Sequence, residues 1–348
     1  MKIVLLFSGE YSMSLTFKAG FEKLGHEVHI MDYHEFIRKF TSRLDHYGTL
    51  FPSRIRKYIR KRYLKQIQAG YLAGIRELKP DLVLAYNDQM ITGETVSWIK
   101  ATGCRFAVYL ADSPFFLHRR NHLFKILLNA DHVFAPDTFW LKQLNTLGLD
   151  RTTFLIIGYN KQLFYSFDPD PSESVKYGAD IFYLGSSYNT IWGNKRAYFL
   201  NLFTGMDFKF YGPPSWKKWF GEFPDLRDHF IENKTRLSDR EVNLISNCCK
   251  IYPVDANPGL IHGIHARILD CIGSGILPIV EYRTDLDRVF HDVEIPVIRD
   301  YREAPELARQ YLNDSEKREY TLNRLKAHLD TFYSPEQSMS FLISKIFL

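Results

Sequence analysis

The chain has 348 residues, 45% of them hydrophobic and 15% aromatic, with a formal net charge of +5. It is too long for one ordinary α/β domain and long enough for two with real cores, while so mild a charge does not by itself imply a nucleic-acid partner. No apolar run approaches a membrane span, and the four cysteines form no C-x-x-C pair, which argues against a zinc or disulfide framework and fits a reducing, cytoplasmic setting.

Short apolar runs alternate with longer helical patterns, the signature of βαβ units and parallel sheets. Met1 to Phe7 is too short for a signal peptide and reads as a first strand, Lys2–Phe7, followed by Gly9 and Glu10. A helix over Ser14–Leu24 ends at Gly25, and a second strand runs His26–Met31. Phe36–Lys79 reads as mostly helical. Within it Arg54–Lys65 holds most of the excess positive charge, as either a solvated helix face or a surface for anionic lipid or an anionic acceptor. Strands follow at Leu82–Tyr86, Arg105–Leu110, His132–Phe134 and Phe154–Ile157. Phe167–Ser174 (FDPDPSES) has linker composition. The pattern restarts with strands at Asp180–Leu184, Phe208–Tyr211, Lys250–Val254, Ile276–Val280 and Ile295–Ile298. Ser334–Leu348 reads as a last helix opened by Ser-Pro-Glu. The expected domains are 1–165, 166–333 and a terminal helix, 334–348.

The most informative stretch is His262–Val280 (HGIHARILDCIGSGILPIV). It reads as a helix starting just after Asn257-Pro258-Gly259, then the small-residue turn Gly273-Ser274-Gly275, then an apolar strand. A helix N-terminus near Gly263 offers N–H groups and positive potential to a phosphate. Arg267 and Asp270, three apart, share one helix face. The Arg suits a diphosphate and the carboxylate suits two ribose hydroxyls; the alternative is a local ion pair on a buried helix. His262 and His265 flank Gly263 and can bond phosphate or sugar, but a zinc site there lacks a third ligand. Gly185 and Ser186 follow a strand and lead to a helix opening with Lys195 and Arg196. A basic pair is unfavourable at a plain helix start, which points to an anion. Tyr211 either borders the nucleobase or belongs to the core. Asp112, just past the strand Arg105–Leu110, is either a general base or a turn residue in Asp-Ser-Pro. Asn87 and Asp88 stand past another strand, as acceptor-side groups or caps, and His118 is an alternative base on a helix. The absence of Gly-x-Gly-x-x-Gly and Walker loops removes the usual support for dinucleotide oxidoreduction and ATP hydrolysis.

The segment Asn257–Asp270 with its following turn and strand resembles the donor motif of GT-B glycosyltransferases, in which two glutamates stand seven apart. Asp270 takes the second place, and His262 stands where the first carboxylate is missing. With Val108–Phe115 and Asp180–Arg196, the pattern looks most like the spore-maturation-protein CgeB family and, more distantly, the phage DNA beta-glucosyltransferases. The resemblance implies a GT-B α/β fold, two Rossmann-like domains facing across a cleft. It implies a UDP-sugar donor bound by Gly185, Ser186, Lys195, Arg196, Tyr211, His262, Gly263, His265, Arg267 and Asp270. The acceptor hydroxyl, of a saccharide, glycolipid or protein, is expected near Gly9, Glu10, Asn87, Asp88 and His118, with Asp112 as base in an inverting transfer without an obligate metal or other cofactor. A DNA acceptor and a nucleotide-sugar epimerase on the same fold stand as alternatives.

Overall fold

The computed structural model describes residues 1–9, 11–37, 52–87, 90–115 and 123–347. The chain divides into two compact units, Met1–Ile157 with Pro335–Leu348, and Gly158–Ser334. Each is a six-stranded parallel sheet between helices.

In the first unit the strands are β1 (Lys2–Leu6), β2 (Glu27–Ile30), β3 (Leu82–Tyr86), β4 (Arg105–Tyr109), β5 (His132–Ala135) and β6 (Thr152–Phe154). They run in the order β2-β1-β3-β4-β5-β6. The central strands read as unbroken apolar runs because helices cover both faces. Ile3, Leu5 and Phe7 point one way from β1 and pack with Phe17 and Phe21 of helix Ser12–Lys23. Helix Pro335–Phe347 adds Met339, Leu342 and Ile346 to that same core. It approaches so closely that a Cβ on Gly20 would lie 2.7 Å from the Pro335 carbonyl oxygen. The Ser338 hydroxyl fixes the helix by donating to the Ile156 carbonyl at 2.7 Å.

The long stretch expected to be helical is a helix over Ser53–Leu78; residues 38–51 lie outside the described part. Ile59, Tyr63, Ile67, Tyr71 and Ile75 recur every fourth residue and form its buried stripe. Arg54, Lys57, Lys61, Arg62 and Lys65 are exposed, beside exposed Ile55 and Tyr58. No helix among the described residues is long and apolar enough to cross a membrane.

The second unit holds β7 (Ala179–Leu184), β8 (Phe208–Gly212), β9 (Phe230–Glu232), β10 (Cys249–Val254), β11 (Leu277–Glu281) and β12 (Val297–Ile298). Their order, β12-β11-β10-β7-β8-β9, reverses direction between β7 and β10. Ligands of such sheets bind beyond the C-terminal strand ends at this switch point. The edge strand β9 was not anticipated; three residues in a charged stretch give no periodic signal. Residues 158–165 belong to this unit, where the Asn243 and Asn247 side-chain amides hold the Tyr165 carbonyl at 3.1 and 3.0 Å.

Candidate functional site

The C-terminal ends of β7, β10 and β11 converge on a charged cluster. Gly185 leaves β7, and Trp216 Nε1 donates to its carbonyl at 2.8 Å. A Cβ at Gly185 would stand 2.6 Å from the Tyr183 hydroxyl, so the loop can lie flat only on glycine. Ser186 follows, and its carbonyl accepts from Arg196 Nη1 at 2.8 Å. Asp255, the first residue past β10, is buried, accepts from Arg196 Nε at 2.8 Å and from the Tyr183 hydroxyl at 3.0 Å. Burial works to raise the Asp255 carboxyl, but Arg196 and Arg267 hold it below the usual range.

Arg196 is therefore not a free anion ligand, as its place in the sequence had suggested. It is buried in an ion pair, with its guanidinium stacked near the Tyr188 and Trp192 rings at 5.2 and 5.1 Å. Lys195 is also engaged. Its Nζ donates to both oxygens of Glu281 at 2.9 Å. Glu281, at the end of β11, further accepts from Arg283 at 2.8 Å, the Tyr301 hydroxyl at 2.6 Å and the Ala256 N–H at 2.9 Å. The sequence reading missed Asp255 and Glu281. Their signal was available, since each carboxylate terminates an apolar strand at the C-terminal edge.

Arg267 and Asp270 open helix Arg267–Ser274, which ends at Gly275 in the left-handed region, φ 84°. The helix starts at Arg267, several residues later than expected. Its first N–H groups are already bonded: Arg267 N–H to His265 Nδ1 at 3.1 Å, Ile268 N–H to the His265 carbonyl at 3.0 Å and Leu269 N–H to the Ala266 carbonyl at 2.9 Å. At the start the helix actually has, these three N–H groups are thus taken up by the chain itself and not left to a phosphate. His265 must accept at Nδ1, so its proton sits on Nε2. Burial pushes this imidazole down to about 3, with Arg267 adding to the effect, and it is neutral. His265 and Gly263 line a pocket with Asp255, Ala256, Glu281 and Arg283. His262 is half-buried nearby in sequence, its carbonyl accepting from the Asp285 N–H at 3.0 Å.

The alternative of a local Arg267–Asp270 ion pair is not realised. The half-buried Arg267 guanidinium lies 5.8 and 5.6 Å from the Tyr183 and Tyr252 ring centres and meets no carboxylate at contact distance among the described residues. Asp270 is half-buried, accepts no hydrogen bond among the described residues, and is pushed up to about 8 by burial, against the pull of Arg267. A cation and a carboxyl group thus share one helix face, neither in an ion pair among the described residues. With Arg267, the cations Lys195, Arg196 and Arg283 of the cluster make four against two ionised carboxylates, Asp255 and Glu281. The excess positive charge suits an anion at the switch point.

Tyr211 does not border this cluster. It is buried, and its hydroxyl neighbours Cys249, Tyr177 and Cys248, at the N-terminal ends of β7 and β10. It is a core residue, because its place on β8 turns its ring away from the loops.

In the first unit, Asn87 follows β3 with φ 52°, a conformation that Asn tolerates better than most residues. Its buried side chain fixes the turn after β4. Oδ1 accepts from the Ala111 and Asp112 N–H groups at 2.9 and 3.3 Å, and Nδ2 donates to Asp112 Oδ2 at 3.0 Å. Asp112 is half-buried and is thereby oriented at the C-terminal sheet edge. Gly9, past β1 on the same edge, donates its N–H to Asp32 at 3.1 Å. Glu10, Asp88 and His118 lie outside the described residues.

Residues 195–344 match a family model described as glycosyl transferase-like. A search of curated proteins with the sequence finds no match. Solved structures are similar over essentially the whole chain. Sucrose-phosphate synthase from Thermosynechococcus elongatus has a TM-score of 0.68 at 10% identity, covering 100% of this chain and 99% of that one. A structure described as trehalose-6-phosphate from E. coli bound with UDP-2-fluoro glucose has a TM-score of 0.65 at 8% identity, with 100% and 99% covered. UDP-GlcNAc 2-epimerase from Neisseria meningitidis bound to UDP-GlcNAc has a TM-score of 0.54 at 12% identity, with 99% of each chain covered. These likenesses, with the two parallel sheets, show the fold to be GT-B.

Proposed function

We propose that this protein is a glycosyltransferase that moves a sugar from a UDP-sugar to a hydroxyl acceptor, within or near the CgeB-like group. The observation that carries the reading is the Arg267–Asp270 face at the switch point of the second sheet, in which neither group has an ion-pair partner among the described residues. Arg267 would bond the diphosphate bidentately. Asp270, ionised on binding, would accept from the ribose hydroxyls, and His265 Nε2–H would donate to phosphate or sugar. Lys195 and Arg283, held by Glu281, would add positive charge against the leaving diphosphate. Arg196 would act through Asp255 and the Ser186 loop, positioning rather than binding. With the charge of the leaving group met by side chains, the reaction needs no obligate metal.

Asp112 would take the acceptor proton as the hydroxyl attacks the anomeric carbon, inverting it. Asn87 would orient the carboxylate by donating to its Oδ2. The exposed basic face of helix Ser53–Leu78 suits a cytoplasmic enzyme meeting an anionic acceptor or the inner membrane surface. Binding of UDP and UDP-sugars by calorimetry tests the donor site. Arg267→Ala should lose far more affinity for UDP than for uridine, and equal losses would place Arg267 in a structural role. Likeness to UDP-GlcNAc 2-epimerases sustains an epimerase reading; donor turnover without any acceptor would select it.

A further inference from the structure

A second polar cluster lies in the same unit among residues that the donor reading does not use. His291 and Asp292 follow helix Thr284–Val289 and are exposed. His328, from helix Ser315–Phe332, is buried against them, its side chain 3% exposed. One potential ligand atom from each lies within 4.8 Å of the others.

The protonation of His328 follows from its contacts. Nε2 stands 2.6 Å from the Val289 carbonyl, which can only accept, so Nε2 carries a proton. In the neutral ring Nδ1 is then a bare lone pair. It faces Asp292 Oδ1 at 2.5 Å, another acceptor, and has no hydrogen-bond partner. Two acceptors this close repel unless positive charge sits between them. Either a proton on Nδ1, which makes the contact an imidazolium–carboxylate ion pair, or a metal ion supplies that charge. The His291 ring, 5.4 Å from that of His328, brings a second imidazole within reach. The Nε2–H bond to a backbone carbonyl is the outer contact that fixes the tautomer of metal-ligating histidines. Phe290, Phe332 and Tyr333 pack around the His328 ring and hold it in place.

We infer that His291, Asp292 and His328 form a site for a borderline divalent cation of the zinc type, a clip tying the turn after Thr284–Val289 to helix Ser315–Phe332. Two imidazole nitrogens and one carboxylate oxygen are zinc donors, with water completing a tetrahedron. Asp292 and His291 are on the surface and can shift to open ligand separations suited to the ion.

The experiment is calorimetric titration of the metal-free full chain with Zn²⁺, together with visible absorption on adding Co²⁺. We expect one equivalent to bind and raise the melting temperature. His291→Ala, an exposed change that should not disturb folding, should weaken Zn²⁺ at least about tenfold and abolish the cobalt spectrum, leaving UDP affinity unchanged. Asp292→Asn should also weaken Zn²⁺. No saturable binding, or wild-type zinc affinity in both variants, overturns the proposal. So does a ring ¹⁵N spectrum that shows His328 protonated at Nδ1 and insensitive to zinc.

Discussion

Asp270 offers a sharp test, because one group should affect stability and donor binding in opposite directions. Its carboxyl is pushed up from an ordinary value near 3.8 to about 8 by burial. A folded value above the unfolded one means that unfolding releases a proton between these limits. The contribution of Asp270 to stability is therefore greatest at low pH and falls as pH rises from about 4 to 8. At pH 7 the ceiling on this cost is about 4 kcal/mol, at about 1.4 kcal/mol per pH unit. Water reaches a half-buried group, and we expect about 1–2 kcal/mol in practice. Asp270→Asn should thus raise the melting temperature by roughly 3–6 °C at pH 8 and by little at pH 4. Donor binding should respond the other way. Ribose hydroxyls bond the ionised carboxylate, so wild-type affinity for a UDP-sugar should rise about tenfold between pH 7 and 9 as the proton ceases to compete. Asp270→Ala should weaken binding by about 2–4 kcal/mol and flatten that slope. Thermal melts and calorimetry at several pH values read both effects. A melting temperature at pH 8 that Asp270→Asn leaves unchanged, or unchanged donor affinity in Asp270→Ala, would refute the assignment.

Asp112→Asn should leave UDP-sugar affinity near wild type while turnover falls by about 10²–10⁴, with NMR of the wild-type product showing an inverted anomer; near-normal turnover would reduce Asp112 to a turn residue. Arg196→Ala should destabilise the second unit by about 3–5 kcal/mol, because it strands the buried Asp255 charge; a denaturant midpoint unchanged by the substitution would contradict the ion-pair role. Gly20→Ala should cost about 1–3 kcal/mol, since helix Pro335–Phe347 must retreat from its new Cβ. An unaltered melt would mean that this helix packs more loosely than its contacts indicate.

The architecture was legible because period and composition report burial directly. Apolar runs of strand length between helical patterns read as parallel strands covered on both faces, and of the twelve strands among the described residues eleven lie on or beside the expected segments. The pairing of Arg267 and Asp270 on one face was equally readable, being a matter of helical spacing. What the sequence could not contain was which charges neutralise one another. Arg196 and Asp255 are 59 residues apart and Lys195 and Glu281 are 86 apart. Only the order of strands, with β7 beside β10 and β10 beside β11, brings these partners to one edge. Local pattern likewise leaves the direction of Tyr211 open, and it places the start of helix Arg267–Ser274 too early. The His265 side chain and carbonyl take up the N–H groups that spacing alone left to a phosphate. Sequence thus determines which residues are chemically capable. The tertiary structure decides which remain unsatisfied, because an interaction between groups distant along the chain is set by topology and not by spacing.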